Sequence, residues 1–208
     1  MSNPSQPWRD ALIARMRVEA LPPEKFSHQA RLYRLCIAIA GDEPVDDDVL
    51  FGACWVHDLG VFIGHRPEDP EQLKRWNSTA YTLGAAPAVL LSCGFPVEKV
   101  NAVVECIRTH EANGSPITTE GIVFRDADLL ELLGSVAVMR TVAKVAQDTR
   151  FITFADAATS LRKALETVPS QIRTPQAQAI AQPRIASLKA FLDALDEESG
   201  GLLGFEAS

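Results

Sequence analysis

The 208-residue sequence contains four histidines, and one of them, His57, is followed at once by Asp58 at the end of the apolar run ACWV. Both side chains are costly to remove from water without a partner. A divalent cation between them would satisfy both, because imidazole nitrogens and carboxylate oxygens are common ligands for such ions. A single His-Asp pair is a weak signal. The prediction of a metal site therefore depends on ligands from elsewhere in the chain.

Four further residues are candidate members of such a site: His28, His110, Asp126 and Asp128. The two aspartates lie in a strongly apolar segment, where a carboxylate needs hydrogen-bond partners or a cation. Two histidines and two aspartates, with coordination positions left for water and substrate, would form a catalytic site and not a sealed structural one. Each residue alone also has a structural explanation, such as a histidine that caps a helix. The prediction of a metal site therefore rests on these residues taken together.

Helical periodicity accounts for most of the chain, and no segment alternates as a strand would. The fold class is therefore all-α, with additional C-terminal helices after the region of candidate ligands. We expect one domain over 1–208, a helical extension over about 153–196 and a flexible tail over 197–208. The predicted helices span residues 8–19, 28–40, 49–57, 78–93, 97–109, 121–133, 136–145, 153–167 and 175–196.

The helix predicted over 49–57 carries the His-Asp pair at its end. It is apolar on nearly all sides, which indicates a central, buried helix. The helix before it is expected to begin with Ser27 as its N-terminal cap. After the pair, residues 61–76 form a polar connection in which His65 is expected to be a solvated loop residue.

Composition excludes several classes of partner. The net charge is −7 and the isoelectric point is near 5.1, without any basic run, so duplex nucleic acid is not an expected partner. No apolar stretch of about 18 residues and no signal peptide is present, so no membrane association is expected. The four cysteines lie far apart without a C-x-x-C pair, which favours reduced, packed thiols and a cytoplasmic protein. Nothing in the sequence indicates an oligomeric state.

The order of these residues resembles the HD superfamily of metal-dependent phosphohydrolases. The resemblance covers roughly residues 26–140, in the segments FSHQARLYRLCIAIA, ACWVHDLG, VVECIRTHE and FRDADLLELLGSVAVMR. The last segment is similar to the family pattern DADRLD…GA…R, with Gly134 and Arg140 at the corresponding places. The resemblance implies an HD-domain-like helical bundle with its core at about 26–147.

The resemblance also implies a role for each candidate. His28, His57 and Asp58 match metal ligands of the family's first segments, and Asp128 matches the aspartate ligand of its last segment. Asp126 then holds a metal ligand from outside the coordination sphere or caps a helix, although the two aspartates could exchange roles. His110 matches a histidine that faces the substrate phosphate or a water molecule.

Two positions depart from the family pattern. Relatives with two metal ions carry an additional histidine in a local pattern like H-x-x-G-A, and Tyr81 stands at that place. A phenol is a poor replacement for a neutral imidazole, so one divalent ion is expected, with Mn, Fe, Co, Ni, Zn and Mg as candidates. The second departure is Leu129, where the family segment usually has an arginine.

The implied activity is hydrolysis of a phosphomonoester or phosphodiester in a small phosphorylated compound, with nucleotides among the candidates. A divalent ion would polarise a phosphoryl oxygen and make water more acidic, and Asp58 or Asp128 would accept the proton. His110 would protonate the leaving alkoxide or donate a hydrogen bond to the phosphate. The cations that could neutralise the phosphate are Arg66, Lys74 and Arg75. The alternative is a sensory HD domain that binds a metal or nucleotide without turnover.

Overall fold

The computed structural model describes residues 6–111, 113–146 and 151–203. These residues form α-helices joined by loops and 3₁₀ turns, without a β-strand, which confirms the all-α prediction. None of the helices in these ranges is long and apolar enough to cross a membrane. The helices are α1 (Pro7–Glu19), α2 (Glu24–Ala40), α3 (Asp47–Val56), α4 (Pro70–Lys74), α5 (Ser78–Ser92), α6 (Val100–Thr109), α7 (Thr119–Leu130), α8 (Gly134–Val142), α9 (Phe154–Thr167) and α10 (Pro175–Ser199).

The chain divides into two compact units, Met1–Ala127 and Asp128–Ser208, and the boundary lies within α7. The first unit contains α1 to α6 and most of α7. In the second unit, α8, α9 and α10 pack against one another. There the buried carboxylate of Glu131 is paired with Arg140 at 3.3 Å. The prediction of a single domain with an HD-like core at about 26–147 stays a prediction.

Helix α3 forms the centre of the first unit. Every residue from Val49 to Val56 is buried, and the helix packs against α1, α2, α5 and α6. A helix that is apolar all round can be stable only in such surroundings. The side chain of Asp46 accepts hydrogen bonds from the backbone N–H groups of Asp48 and Val49, so the helix begins two residues before its predicted start.

The predicted start of α2 was wrong. The helix begins at Glu24, directly after two prolines, and the Ser27 hydroxyl donates to the carbonyl of Glu24 within the first turn. Proline favours the first positions of a helix because its φ is already helical and its missing N–H has no partner there. His28 consequently lies in the second turn of α2, and not at its beginning.

Several other boundaries also differ from prediction. The polar connection after the His-Asp pair contains a 3₁₀ turn, Leu59–Val61, and the short helix α4. Pro87 lies inside α5 without ending it. Helix α8 begins earlier than predicted, and α10 continues to Ser199, into the predicted tail. Residues 204–208 of that tail lie outside the described residues. None of the four cysteines forms a disulfide bond, and three of them are buried.

A network of charged side chains joins α1, the start of α3 and the turn before α6. Arg9 contacts Asp47 at 2.8 Å and Asp48 at 2.6 Å, while Lys99 contacts Asp46 at 2.8 Å and Asp48 at 2.9 Å. Burial alone would raise the pKa of Asp48, but the hydrogen bonds from Lys99 and Arg9 outweigh it and hold the pKa below its usual value. The ionised form of Asp48 therefore stabilises the folded protein.

We expect the substitution Asp48→Asn to lower the free energy of unfolding at pH 7 by about 1–3 kcal/mol, because it removes charged hydrogen-bond acceptors from a largely buried site. A carboxyl whose folded pKa is lowered contributes stability above its unfolded pKa of about 3.9 and loses it as the pH falls through the folded value. Urea unfolding from pH 7 to pH 2 should therefore show the difference between the two proteins shrinking below about pH 4.

Asp193→Asn is the matched control, because Asp193 forms an exposed pair with Lys189. Such pairs contribute about 1 kcal/mol at most. If the difference in free energy of unfolding between Asp48→Asn and the wild-type protein stayed constant down to pH 2, it would contradict a lowered pKa for Asp48.

Candidate metal centre

The side chains of His28, His57 and Asp58 lie together in the first unit. The Nε2 atoms of the two histidines are 3.3 Å apart. The Asp58 carboxylate lies 3.8 Å from Nε2 of His28 and 3.6 Å from Nε2 of His57. Both histidines are buried, whereas the Asp58 side chain is 20% exposed. The structure thus brings three of the four predicted metal ligands together, with one of them open to solvent.

The end of α3 determines how His57 is oriented. Its Nδ1 atom lies 3.0 Å from the carbonyl oxygen of Cys54, one turn earlier. Because a carbonyl only accepts, Nδ1 carries a proton and donates it, and Nε2 is the ring nitrogen that faces His28 and Asp58. A metal-binding histidine is typically held this way, through a hydrogen bond from its other ring nitrogen.

The backbone after Asp58 is fixed by a close approach to α5. Gly60 lies against the backbone of Ser78, and a Cβ atom at Gly60 would collide with it. The N–H of Gly60 donates to the Thr82 hydroxyl at 2.9 Å, and its carbonyl accepts from the Trp76 indole at 2.7 Å. The chain therefore has a tightly determined path two residues after the candidate ligand.

His110 lies at the end of α6 and has the same local arrangement as His57. Its Nδ1 donates to the carbonyl of Ile107 at 2.6 Å, so Nε2 takes no part in this hydrogen bond. The ring centroids of His110 and His57 are 5.8 Å apart, and both rings contact Phe124 of α7. His110 is thus next to the three-residue cluster and half exposed to solvent.

Comparison with solved structures finds proteins of the same fold. The crystal structure of Bacillus subtilis YpgQ superimposes with a TM-score of 0.71 at 18% identity, covering 94% of this chain and 97% of that one. A protein named as a predicted HD superfamily hydrolase, from an uncultured Thermotogales bacterium, gives 0.60 at 21% identity, covering 91% of both chains. An HD-superfamily hydrolase from Bacillus thuringiensis gives 0.63 at 17% identity, covering 93% and 96%.

The chain has the HD-superfamily fold. This confirms the predicted likeness at the level of the fold. No protein-family model matches the sequence, and no curated protein matches it either. The likeness is therefore one of fold, because the sequence identity to these structures is only 17–21%.

The two aspartates of α7 differ in their surroundings. Asp126 belongs to the first unit and is fully buried, while Asp128 is half buried and is the first residue of the second unit. Asp126 is preceded by Arg125, whose Nε donates to the carbonyl of Glu111 at 3.4 Å, next to His110. The assignment of Asp128 as the fourth ligand, with Asp126 as the alternative, stays a prediction.

The other predicted site residues lie on the connection after the HD pair or near its end. Arg66 is half buried; Arg75 is exposed, and the exposed Lys74 is paired with Glu71 at 2.6 Å. The expectation that His65 is a solvated residue was wrong, because its side chain is only 18% exposed and lies between Glu19 and Tyr81. These contacts join segments that are far apart in sequence, so no local sequence pattern predicts them.

The donor set of the HD cluster fits a divalent ion. One atom from each of His28, His57 and Asp58 lies within 4.8 Å of the others. Ligand atoms about 2.0–2.2 Å from one ion are separated by roughly 3–4 Å, so the observed spacing requires little movement. Neutral imidazole and carboxylate donors suit Zn, Mn, Fe, Co and Ni, and the carboxylate also suits Mg.

We expect Gly60→Ala to destabilise the protein by more than about 2 kcal/mol, because the added methyl group collides with backbone and not with a movable side chain. Gly84→Ala is the matched control, since Gly84 lies within α5 with open space around it. That substitution should be neutral or stabilising by up to about 1 kcal/mol. Thermal unfolding of the two variants distinguishes them, and equal melting temperatures would contradict the close approach.

We expect His57→Ala to abolish retention of a divalent ion, because it removes a central donor of the cluster. Metal content of the purified protein and the rise in melting temperature on adding Mn²⁺ or Zn²⁺ measure this, since a ligand that binds only the folded state stabilises it. His65→Ala is the control, as it removes a nearby histidine outside the cluster. Full metal occupancy in His57→Ala would exclude the site.

Proposed function

We propose that this protein is a metal-dependent phosphohydrolase that acts on a small phosphorylated compound. The observation that carries the proposal is the cluster of His28, His57 and Asp58 at the end of a buried helix, in a chain with the HD fold. Three metal-binding donors are costly to gather in a protein interior unless a cation offsets the cost. The partial exposure of Asp58 leaves one side of the cluster accessible to a substrate.

The proposed ligands are His28, His57, Asp58 and one carboxylate of α7, for which Asp128 is the first candidate and Asp126 the second. The resemblance in sequence supports Asp128, and the complete burial of Asp126 supports the alternative. One ion is proposed, because Tyr81 stands where two-metal relatives carry a histidine. A divalent ion held there supplies Lewis-acid polarisation of a phosphoryl oxygen and makes water more acidic.

The side chains around the cluster have distinct proposed roles. Asp58, whose side chain is 20% exposed, would accept a proton from the attacking water. His110 donates a hydrogen bond to the phosphoryl group; because its Nδ1 proton is held by Ile107, this requires the doubly protonated ring. Arg66 is the first of the three candidate cations for neutralising the phosphate, since it is half buried, whereas Arg75 is exposed and Lys74 is paired with Glu71.

Nucleotides are the first substrates to test. The structurally similar YpgQ was crystallised in complex with ADP; this complex gives a TM-score of 0.67 at 21% identity and covers 92% of this chain. A net charge of −7 disfavours a long polyanion as the partner, so a small phosphorylated molecule is preferred over duplex nucleic acid.

A second candidate function is binding of a metal or nucleotide without turnover. The observation that favours it is Tyr81, whose hydroxyl is bound to His65 at 3.1 Å, so that no imidazole stands at this position to hold a second ion. The two candidates differ in whether the metal-loaded protein releases phosphate.

The test is a panel of nucleoside mono-, di- and triphosphates and simple phosphate esters, assayed with Mn²⁺, Co²⁺, Ni²⁺ or Mg²⁺. We expect phosphate or pyrophosphate release with at least one ion, and a loss of at least about 10³-fold in Asp58→Asn, which removes both a ligand and a proton acceptor. Asp42→Asn, in an exposed loop, is the control. A metal-loaded protein without hydrolysis across the panel would favour the binding function.

A measurement of metal affinity separates the two aspartates of α7. We expect Asp128→Asn to reduce the metal affinity at least about 10-fold. Asp126→Asn should reduce the metal affinity less, because Asp126 is then a residue that supports a ligand from outside the coordination sphere. Isothermal titration with Mn²⁺ measures both. The reverse order would assign the fourth ligand to Asp126 and leave the proposed reaction unchanged.

A further inference from the structure

Three aromatic rings meet at the HD cluster, and only two of them have a place in the proposed reaction. The ring centroid of Phe124 lies 5.5 Å from that of His57 and 5.6 Å from that of His110. The centroids of the two imidazoles are 5.8 Å apart. These distances lie in the range of favourable contacts between aromatic rings. Each ring therefore touches the other two, and Phe124 joins the candidate metal ligand to the candidate phosphate-facing residue.

The two imidazoles depend on Phe124 to different degrees. Each of them donates through Nδ1 to a carbonyl three residues earlier. His57 is also buried, and its Nε2 lies 3.3 Å from Nε2 of His28. The His110 ring is half exposed, and beyond its hydrogen bond it is held by the rings of Phe124 and His57. Loss of the Phe124 ring should therefore release His110 more than His57.

Phe124 itself has little freedom to move. Its side chain is 0% exposed, and Val123 and Ala127 beside it on α7 are buried too. Side chains in such close-packed surroundings are held in one arrangement. Among the residues that the structure describes, the aromatic rings in contact with Phe124 are those of His57 and His110. A rigid ring thus has its aromatic contacts confined to the two histidines of the candidate site.

We propose that Phe124 is a positioning residue that holds the His110 ring in its orientation beside the HD cluster. The catalytic part of the proposal rests on the proposed phosphohydrolase function, in which Nε2 of His110 faces the phosphoryl group. A half-turn of an imidazole about its Cβ–Cγ bond puts a carbon where that nitrogen was. A rigid neighbour against the ring opposes this turn, and a group held in its productive geometry contributes more to catalysis than a mobile one.

Turnover and metal affinity should respond differently to loss of the ring. We expect Phe124→Leu to lower kcat/KM for the best substrate of the phosphate-ester panel by about 10-fold or more at saturating Mn²⁺. The dissociation constant for Mn²⁺ should stay within about 3-fold of wild type, because His57 keeps its other contacts. In a His110→Gln background, Phe124→Leu should cost less than about 3-fold more, because Phe124 acts through His110.

Phe95→Leu is the matched control. Phe95 is buried in the same unit, and its ring lies 4.8 Å from that of Trp8 at an interplanar angle of 84°, so a comparable aromatic contact is lost away from the histidines. We expect it to lower the melting temperature as Phe124→Leu does, and to change kcat/KM by less than about 3-fold. Phe124→Met keeps a large apolar side chain and carries the test if Phe124→Leu does not fold.

A measurement on the metal-free protein tests the positioning without the reaction. Nitrogen-15 NMR distinguishes protonated from bare ring nitrogens, and His110→Gln identifies the signals of this residue among the four histidines. We expect the neutral His110 ring to carry its proton on Nδ1 in the wild-type protein, because that nitrogen donates to the carbonyl of Ile107. Phe124→Leu should move these signals toward a mixture of the two neutral forms, and Phe95→Leu should leave them unchanged.

Two results would overturn the positioning role while the phosphohydrolase function stands. One is a set of His110 signals that is unchanged in both Phe124→Leu and Phe124→Met. The other is an equal loss of kcat/KM in Phe124→Leu and Phe95→Leu. A wild-type protein inactive on every phosphate ester with every metal would overturn the phosphohydrolase function, and the NMR measurement would still decide whether Phe124 positions the ring.

Discussion

The contact on which the candidate site depends is the approach of α2 to α3, which brings Nε2 of His28 and Nε2 of His57 to 3.3 Å. The Asp58 carboxylate lies within 4 Å of both of these nitrogens, so three donor atoms share one small, largely buried space. Helix α3 is fixed by apolar packing on all sides, so it has little freedom to move away. The packing of the first unit thus imposes the spacing of the donors, and a divalent cation is the partner that this spacing suits.

Helix ends place the functional side chains throughout the first unit. His57 and His110 each follow the last residue of a helix, and each donates through Nδ1 to a carbonyl three residues earlier. This bond satisfies a carbonyl group that the helix leaves without a partner, and it also fixes the ring so that Nε2 is available. Gly60 then permits the chain to pass directly against the backbone of Ser78. The same local geometry therefore serves the stability of the helices and the orientation of the site.

The sequence was sufficient to predict features that depend on local pattern. The all-round apolar character of 49–56 identified a buried helix, and His57 with Asp58 at its end identified a candidate site. The order of the segments was sufficient to predict the HD fold. Other features depend on contacts between distant segments, and no local pattern contains them. His65 was expected in solvent because its neighbours in sequence are polar, yet Glu19 and Tyr81, from two different helices, enclose it. The start of α2 was misplaced because Ser27 resembled a cap, although the helix begins at Glu24, directly after two prolines.

We propose that His28, His57 and Asp58 bind one divalent ion. A crystal structure of the protein grown with Mn²⁺, with anomalous data that locate the metal, is the decisive test. We expect one anomalous peak within about 2.0–2.3 Å of Nε2 of both histidines and of an Asp58 oxygen, with a carboxylate of α7 as the fourth protein ligand. A peak elsewhere, or a direct contact between the two Nε2 atoms that persists at saturating Mn²⁺, would contradict it.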